Sequence, residues 1–173
     1  MADDYLHIYL NDHLAGSTTG LELVKRARKE NEGTPLGDTL ADLEREIDAD
    51  RDELQRLMDE LDVARNPAKE AGAWLAEKAS RLKLNGQLTG YSPMSRLIEL
   101  ETLFLGVTGK RQLWIALRDV FGPRLRDFDF DRLIERAESQ RDRIEQHRLA
   151  AAREAFGGTS VAKSWNATSA AGS

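Results

Sequence analysis

The chain contains no cysteine among its 173 residues. The absence of thiols excludes disulfides, thiolate zinc sites, cysteine nucleophiles and cysteine-ligated iron–sulfur clusters. It also makes a reducing cytoplasm the expected location. We expect a single globular domain, because a chain of about 150 folded residues buries roughly 70% of its unfolded surface without needing a structural metal.

An excess of basic residues is also missing, since 30 Asp and Glu residues outnumber 25 Lys and Arg residues and give a net charge of −5. The sequence therefore offers no basic stripe for a nucleic-acid backbone. No apolar run reaches the roughly 18 residues that a membrane span needs. Acidic residues at Asp3, Asp4 and Asp12 differ from the basic, apolar start of a secretion signal. We expect neither nucleic acid nor a membrane as a partner.

A β-sheet is not expected, because polar and apolar residues do not alternate over any sustained stretch. The four prolines and several glycines instead divide the sequence into helices, since proline suits the first turn of a helix and glycine the position after its end. The predicted helices lie at about 3–30, 35–65, 67–85, 93–121 and 128–156. They form one bundle domain, residues 1–157, followed by a flexible tail rich in Ser, Ala and Gly at 158–173.

Apolar residues recur at three- and four-residue steps in these helices, as expected for faces that pack together in a bundle. In the second helix a seam of seven aliphatic residues is interrupted by Asp50 alone: Leu36, Leu40, Leu43, Ile47, Leu54, Leu57 and Leu61. A buried charge is costly unless it is paired, so Asp50 needs a partner. The polar side chains that break such seams are therefore the candidates for a functional or structural site.

A rotation of 100° per residue places several further polar residues on packed faces. The predicted polar core comprises His13, Asp50, Glu101, Arg111, Gln140, Arg141 and Arg148. Counting from the turns at Gly33 and Pro123 places these residues in two layers along the bundle. We expect Asp50 to pair with Arg111 or Arg141, and Glu101 to pair with Arg148, each as an internal ion pair.

The remaining signals favour association over catalysis. A glycine cluster at 106–110 lies inside an apolar helix and lacks the strand that precedes a phosphate-binding loop. We expect Gly16 and Gly20 to allow either the close approach of another helix or a modest kink in the first helix. An apolar side left over on the fourth helix could support self-association or a protein partner; the candidates are Leu105, Leu113, Trp114 and Val120.

Two helical hairpins joined by a long crossover, in an acidic all-helical chain, resemble the ferritin-like superfamily over about Asp3 to Phe156. The resemblance implies an antiparallel four-helix bundle with a shorter fifth, crossover helix. The stretches Tyr9–Gly16 and Ile144–Arg148 are also similar to ones in small bacterial helical proteins, a likeness that implies no activity. Di-iron members of the superfamily carry Glu-x-x-His motifs, and none of the three histidines here follows a Glu by three residues.

The resemblance nevertheless leaves an alternative, in which iron or manganese is bound by a different carboxylate set. Its candidate ligands are Glu22, Glu46 (or Glu44), Glu101 and His147. Oxidoreductase or storage activity would follow from such a site. Arginines in the same faces argue against it, because a guanidinium occupies the carboxylate oxygens that a metal would need. We therefore predict a non-enzymatic bundle without a cofactor, with the metalloprotein as the alternative.

Overall fold

The computed structural model describes residues 2–66 and 91–159, which form four α-helices and no strand. The helices are α1 (Ala2–Glu30), α2 (Pro35–Glu60), α3 (Pro93–Phe121) and α4 (Phe130–Phe156). They correspond to the first, second, fourth and fifth predicted helices, so an all-helical fold is confirmed for this part of the chain. The predicted third helix at 67–85 and residues 160–173 of the predicted tail lie outside the described residues.

Three of the helices begin where a side chain satisfies a free backbone N–H of the first turn. Thr34 accepts from the Gly37 N–H at 3.1 Å, and Ser92 accepts from the Ser95 N–H at 3.1 Å. In both cases proline occupies the first position of the helix. Asp129 accepts from the Arg132 N–H at 3.0 Å and starts α4. These starts agree with those expected from the sequence.

The end of α2 differs from the prediction. The helix stops at Glu60 and does not continue to residue 65. Asp62 adopts a left-handed conformation with φ of 54°. The Val63 N–H then bonds the Met58 carbonyl at 2.8 Å, and the Asp62 N–H bonds the Asp59 carbonyl at 3.1 Å. This pair of bonds is a Schellman motif, which usually has Gly at the left-handed position.

The buried apolar residues form two clusters along the length of the helices. One includes Leu40, Leu43 and Ile47 of α2 and extends to Leu103 of α3. The other includes Leu54, Leu57 and Met58 of α2, with Leu113, Trp114 and Leu117 of α3. Residues 48–53 of α2 and 108–112 of α3 separate the two clusters, and a group of buried charges lies at that level.

The helices pack as two hairpins that also contact each other. α3 packs most extensively on α4 and α1 on α2, while smaller contacts join α1 to α3 and α2 to α4. Within residues 2–66 and 91–159, no helix is both long and apolar enough to cross a membrane.

Candidate functional site: a buried charged layer and the cavity beside it

Asp50 is the most deeply buried carboxylate among the described residues. It is 2% exposed, and its position in the leucine seam of α2 directs it towards α3 and α4. Gln140 of α4 is fully buried at the same level. The prediction that Asp50 and Gln140 are buried polar residues is correct.

Two cations and one amide surround the Asp50 carboxylate. Lys110 Nζ donates to Asp50 Oδ2 and to Gln140 Oε1. Arg136 Nη2 donates to Asp50 Oδ1, and Gln140 Nε2 donates to Asp50 Oδ2 at 3.1 Å. We refer to Asp50, Lys110, Arg136 and Gln140 as the Asp50 layer. It joins α2, α3 and α4 through four hydrogen bonds to buried atoms.

The electrostatics of the Asp50 layer are unbalanced. The Asp50 carboxylate lies between the cations of Lys110 and Arg136. The nearby Glu46 forms an ion pair with Arg143 at 2.5 Å and does not balance their charge. Burial lowers the pKa of Lys110, and the Asp50 carboxylate opposes that shift. The Nε–H of Arg136 is buried without a hydrogen-bond partner among the described residues. The layer therefore keeps a surplus of positive charge and of unused donors.

The predicted partners of Asp50 are wrong. Arg111 pairs with Glu138 at 2.6 Å, and Arg141 lies 3.7 Å from Asp142. The buried seam of α3 contains Leu103, Val107, Trp114 and Leu117, and Lys110, with its side chain 14% exposed, is in phase with it. Arg111 follows Lys110 by one residue and therefore lies about 100° away around the helix.

The predicted Glu101–Arg148 pair forms, with a distance of 3.2 Å, but it is not internal. Glu101 is 47% and Arg148 24% exposed in their side chains, and Arg148 also contacts Glu145 at 2.7 Å. Long basic side chains reach water from a partly buried position, so a helical face alone overestimates their burial. This pair belongs to the surface.

A second buried polar network was missed by the sequence analysis. Glu99 is 6% exposed; it accepts from Arg26 Nε at 3.0 Å and from the Tyr91 hydroxyl at 2.9 Å. Asn31 Nδ2 donates to the Tyr91 oxygen at 2.9 Å. Burial raises the pKa of Glu99 and raises the pKa of Tyr91 to about 12. The network ties the α1–α2 turn to the start of α3.

The candidate metal ligands are not brought together. Glu22 pairs with Lys25 at 3.2 Å, Glu46 with Arg143 at 2.5 Å and Glu101 with Arg148 at 3.2 Å. His147 Nε2 lies 3.0 Å from the Thr39 hydroxyl, and burial lowers its pKa. Residues 2–66 and 91–159 hold no group of three or more His, Asp or Glu that could bind a metal ion.

A cavity of about 490 Å³ lies beside the Asp50 layer, between α1, α2 and α3. Asp50 and Lys110 form part of its wall, and so does His13, whose ring meets Tyr9 edge to face at 4.6 Å. Burial lowers the pKa of His13. The structure therefore places His13 on the same cavity wall as Asp50.

Four glycines also line this cavity, two on α1 and two on α3: Gly16, Gly20, Gly106 and Gly109. A Cβ atom added at any of them would meet no atom of residues 2–66 and 91–159 within 4 Å. Among these residues the expected close helix approach at Gly16 and Gly20 is therefore absent.

No protein-family model, curated protein sequence or solved structure matches the chain.

Proposed function

We propose that the chain is a non-enzymatic helical-bundle protein that acts through self-association. The observation that carries this proposal is a group of large apolar side chains exposed near the start of α1. Tyr5 is 69%, Ile8 56% and Tyr9 38% exposed. Covering such groups with a second molecule is favourable, and a contiguous exposed group of this kind is typical of an association surface.

Three exposed residues lie near the start of α1. Tyr5 lies three residues before Ile8 and four before Tyr9, so the three side chains share a face of α1. This part of α1 is level with Leu113, Trp114 and Leu117 of α3, whose cluster includes Leu10. We call Tyr5, Ile8 and Tyr9 the apolar patch.

The apolar patch revises the residues expected from the sequence. Leu105 and Val120 are each 63% exposed and so available for association. Leu113 is 1% and Trp114 0% exposed, so neither can contribute to an interface. We propose that a second copy of the chain covers the patch. A two-fold axis would bring the same patch of both copies into contact, so that each patch buries the other. A different protein partner would use the same surface.

The finer architecture is part of the proposal: an antiparallel bundle of ferritin-like outline. It is supported by the order of contacts between α3 and α4, in which residue numbers rise on one helix and fall on the other. These contacts are Arg96–Glu154, Glu101–Arg148, Arg111–Glu138 and Arg118–Asp131. In this arrangement the Asp50 layer fixes the register of α2, α3 and α4.

The test is the oligomeric state measured by sedimentation velocity from low to high micromolar concentration. We expect wild-type protein to form dimers as the concentration rises. Ile8→Glu should shift the protein to monomer, because a desolvated charge opposes the interface. Leu105→Glu is the matched control, since Leu105 is 63% exposed on α3 and lies at the level of the cluster that contains Leu21 and Val24, away from the cluster of Leu10. A wild-type monomer at all concentrations, or equal effects of both variants, would contradict the proposal.

A further inference from the structure

His13 connects the apolar patch to the cavity beside the Asp50 layer. It lies four residues after Tyr9 on α1, so the two side chains are neighbours on the surface of the helix. Their rings meet edge to face, with the centroids 4.6 Å apart. Tyr9 is 38% exposed and belongs to the patch, whereas His13 is half-buried on the cavity wall. A change in the charge of His13 therefore takes place in direct contact with the patch.

The surroundings of His13 favour its neutral form. Two acidic and two basic side chains share the cavity wall with it: Asp12 of α1, Asp50 and Arg51 of α2, and Lys110 of α3. The Asp50 carboxylate is already paired with Lys110 and with Arg136 of α4. Burial lowers the pKa of His13 more than the exposed Asp12 carboxylate raises it. A protonated ring is therefore poorly compensated in this position.

Covering the apolar patch with a second copy would strengthen the preference for the neutral ring. A molecule placed over Tyr9 also removes water from the neighbouring His13, and a charge that loses water without gaining a partner is costly. The dimer would therefore bind a proton at His13 less readily than the monomer does. Because the two binding equilibria are linked, protonation of His13 must in turn favour the monomer.

We infer that His13 makes self-association through the apolar patch sensitive to pH, so that acid separates the two copies. This inference rests on the proposed self-association and adds its regulation. Neutral His13 packs against Tyr9 and leaves the patch apolar. Protonated His13 turns towards water and places a positive charge beside Tyr9, where a second copy would have to desolvate that charge.

The test is the dissociation constant of the dimer, measured on the full chain by sedimentation velocity at several pH values. We expect the constant to rise about tenfold between about pH 8 and pH 5.5, because each separated copy takes up a proton near the ordinary histidine pKa of about 6.5. Circular dichroism at each pH checks that the protein is folded. A dissociation constant that is the same at both pH values would overturn the inference.

Single replacements of the three histidines assign the effect to one of them. His13→Gln keeps the position uncharged and should remove the pH dependence. His147→Gln is the matched control, because burial also lowers the pKa of His147, which lies on α4. His7→Gln is the second control, since about 100° of rotation per residue places His7 about 160° around α1 from both Tyr5 and Tyr9. A pH dependence that survives in folded His13→Gln, or that disappears in either control, would overturn the inference.

A second measurement separates a failure of this inference from a failure of the proposed self-association. A wild-type chain that stays monomeric at pH 8 would contradict the self-association itself. The NMR signals of the Tyr9 ring, assigned with Tyr9→Phe, report its contact with His13 in the monomer. These signals should shift as His13 titrates and should stay constant over the same pH range in His13→Gln. Tyr9 signals that do not follow the titration of His13 would overturn the inference, whether or not a dimer forms.

Discussion

Asp50 differs from its acidic neighbours on α2 in where its charge is compensated. Asp42 and Asp48 pair with arginines three residues along the same helix, and their side chains are 52% and 54% exposed. Water can replace the partner at such positions, which is why exposed pairs contribute about 0–1 kcal/mol. Asp50 is 2% exposed and has cations from two other helices. Its removal leaves two cations without their carboxylate, although their side chains are only 14% and 26% exposed.

Asp50→Leu should therefore lower the free energy of unfolding by about 3–5 kcal/mol, because Lys110 and Arg136 lose their carboxylate. Glu138→Leu is the control: it removes the carboxylate that pairs with Arg111 at 2.6 Å in a more exposed setting, and it should cost no more than about 1 kcal/mol. Urea unfolding measures both. Adding Lys110→Met and Arg136→Leu to Asp50→Leu should recover much of the loss, since an apolar cluster no longer contains unpaired charge. Equal stability of Asp50→Leu and wild type would contradict this account.

Sequence periodicity predicts which polar residues are buried better than it predicts their partners. Asp50 and Gln140 interrupt rows of apolar residues, and both are buried. The partner of Asp50 depends on which of two adjacent rows of α3 faces inward, and both rows contain a basic residue, Lys110 or Arg111. A rotation of one residue about the helix axis exchanges them. Arg136 could have been found, because it lies four residues before Gln140 on the same face of α4.

At the scale of the elements, helix starts follow from local chemistry and one helix end does not. A capping side chain followed by proline specifies the start of α2 and α3 in the sequence itself. The end of α2 lacks the glycine that usually takes the left-handed position, because Asp62 occupies it with φ of 54°. Asp adopts this conformation at a moderate cost. A search for Gly and Pro signals therefore places the end of α2 too late.

The glycines of α1 and α2 give a matched test of what each helix requires. A Cβ at Gly37 would overlap the backbone oxygen of Asn31, which the α1–α2 turn holds in place through a bond from the Thr34 N–H at 3.2 Å. Gly37→Ala should destabilise the protein by about 1–3 kcal/mol. A Cβ at Gly16 meets no described atom within 4 Å, so Gly16→Ala should stabilise the protein by about 0.5–1 kcal/mol through helix propensity. Thermal melting compares the two variants, and a Gly37→Ala protein as stable as wild type would show that the turn can relax.

At the scale of the whole molecule, the number and order of the described helices follow from the sequence, but the cavity does not. Local patterns specify each helix and its apolar face. The distance between two helices depends on every side chain that separates them, so four glycines are compatible with close contact or with open space. Within the described part of the chain, a Cβ at Gly16, Gly20, Gly106 or Gly109 has no neighbour within 4 Å. A cavity is thus a property of the assembled helices.

The pH dependence of the free energy of unfolding is a property of the whole molecule, because the histidines and Glu99 lie on different helices and change it in opposite directions. Burial lowers the pKa of His13, which Asp12 partly opposes, and lowers the pKa of His147. In the unfolded chain both histidines take up protons near pH 6.5. Below that pH the unfolded state binds protons that the native state does not, so the free energy of unfolding falls until the native histidines also titrate.

Glu99 increases the free energy of unfolding as the pH falls, because burial raises the pKa of its carboxyl. Its contribution to stability is present below the unfolded pKa of about 4.3 and is lost as the pH rises through the native pKa. Urea unfolding between pH 8 and pH 4 should therefore show a decline that begins near pH 6.5 and weakens at lower pH. His13→Gln with His147→Gln should remove the decline, whereas Glu99→Gln should leave it in place. A double histidine variant whose stability still falls from pH 6.5 as in wild type would assign the decline to other groups.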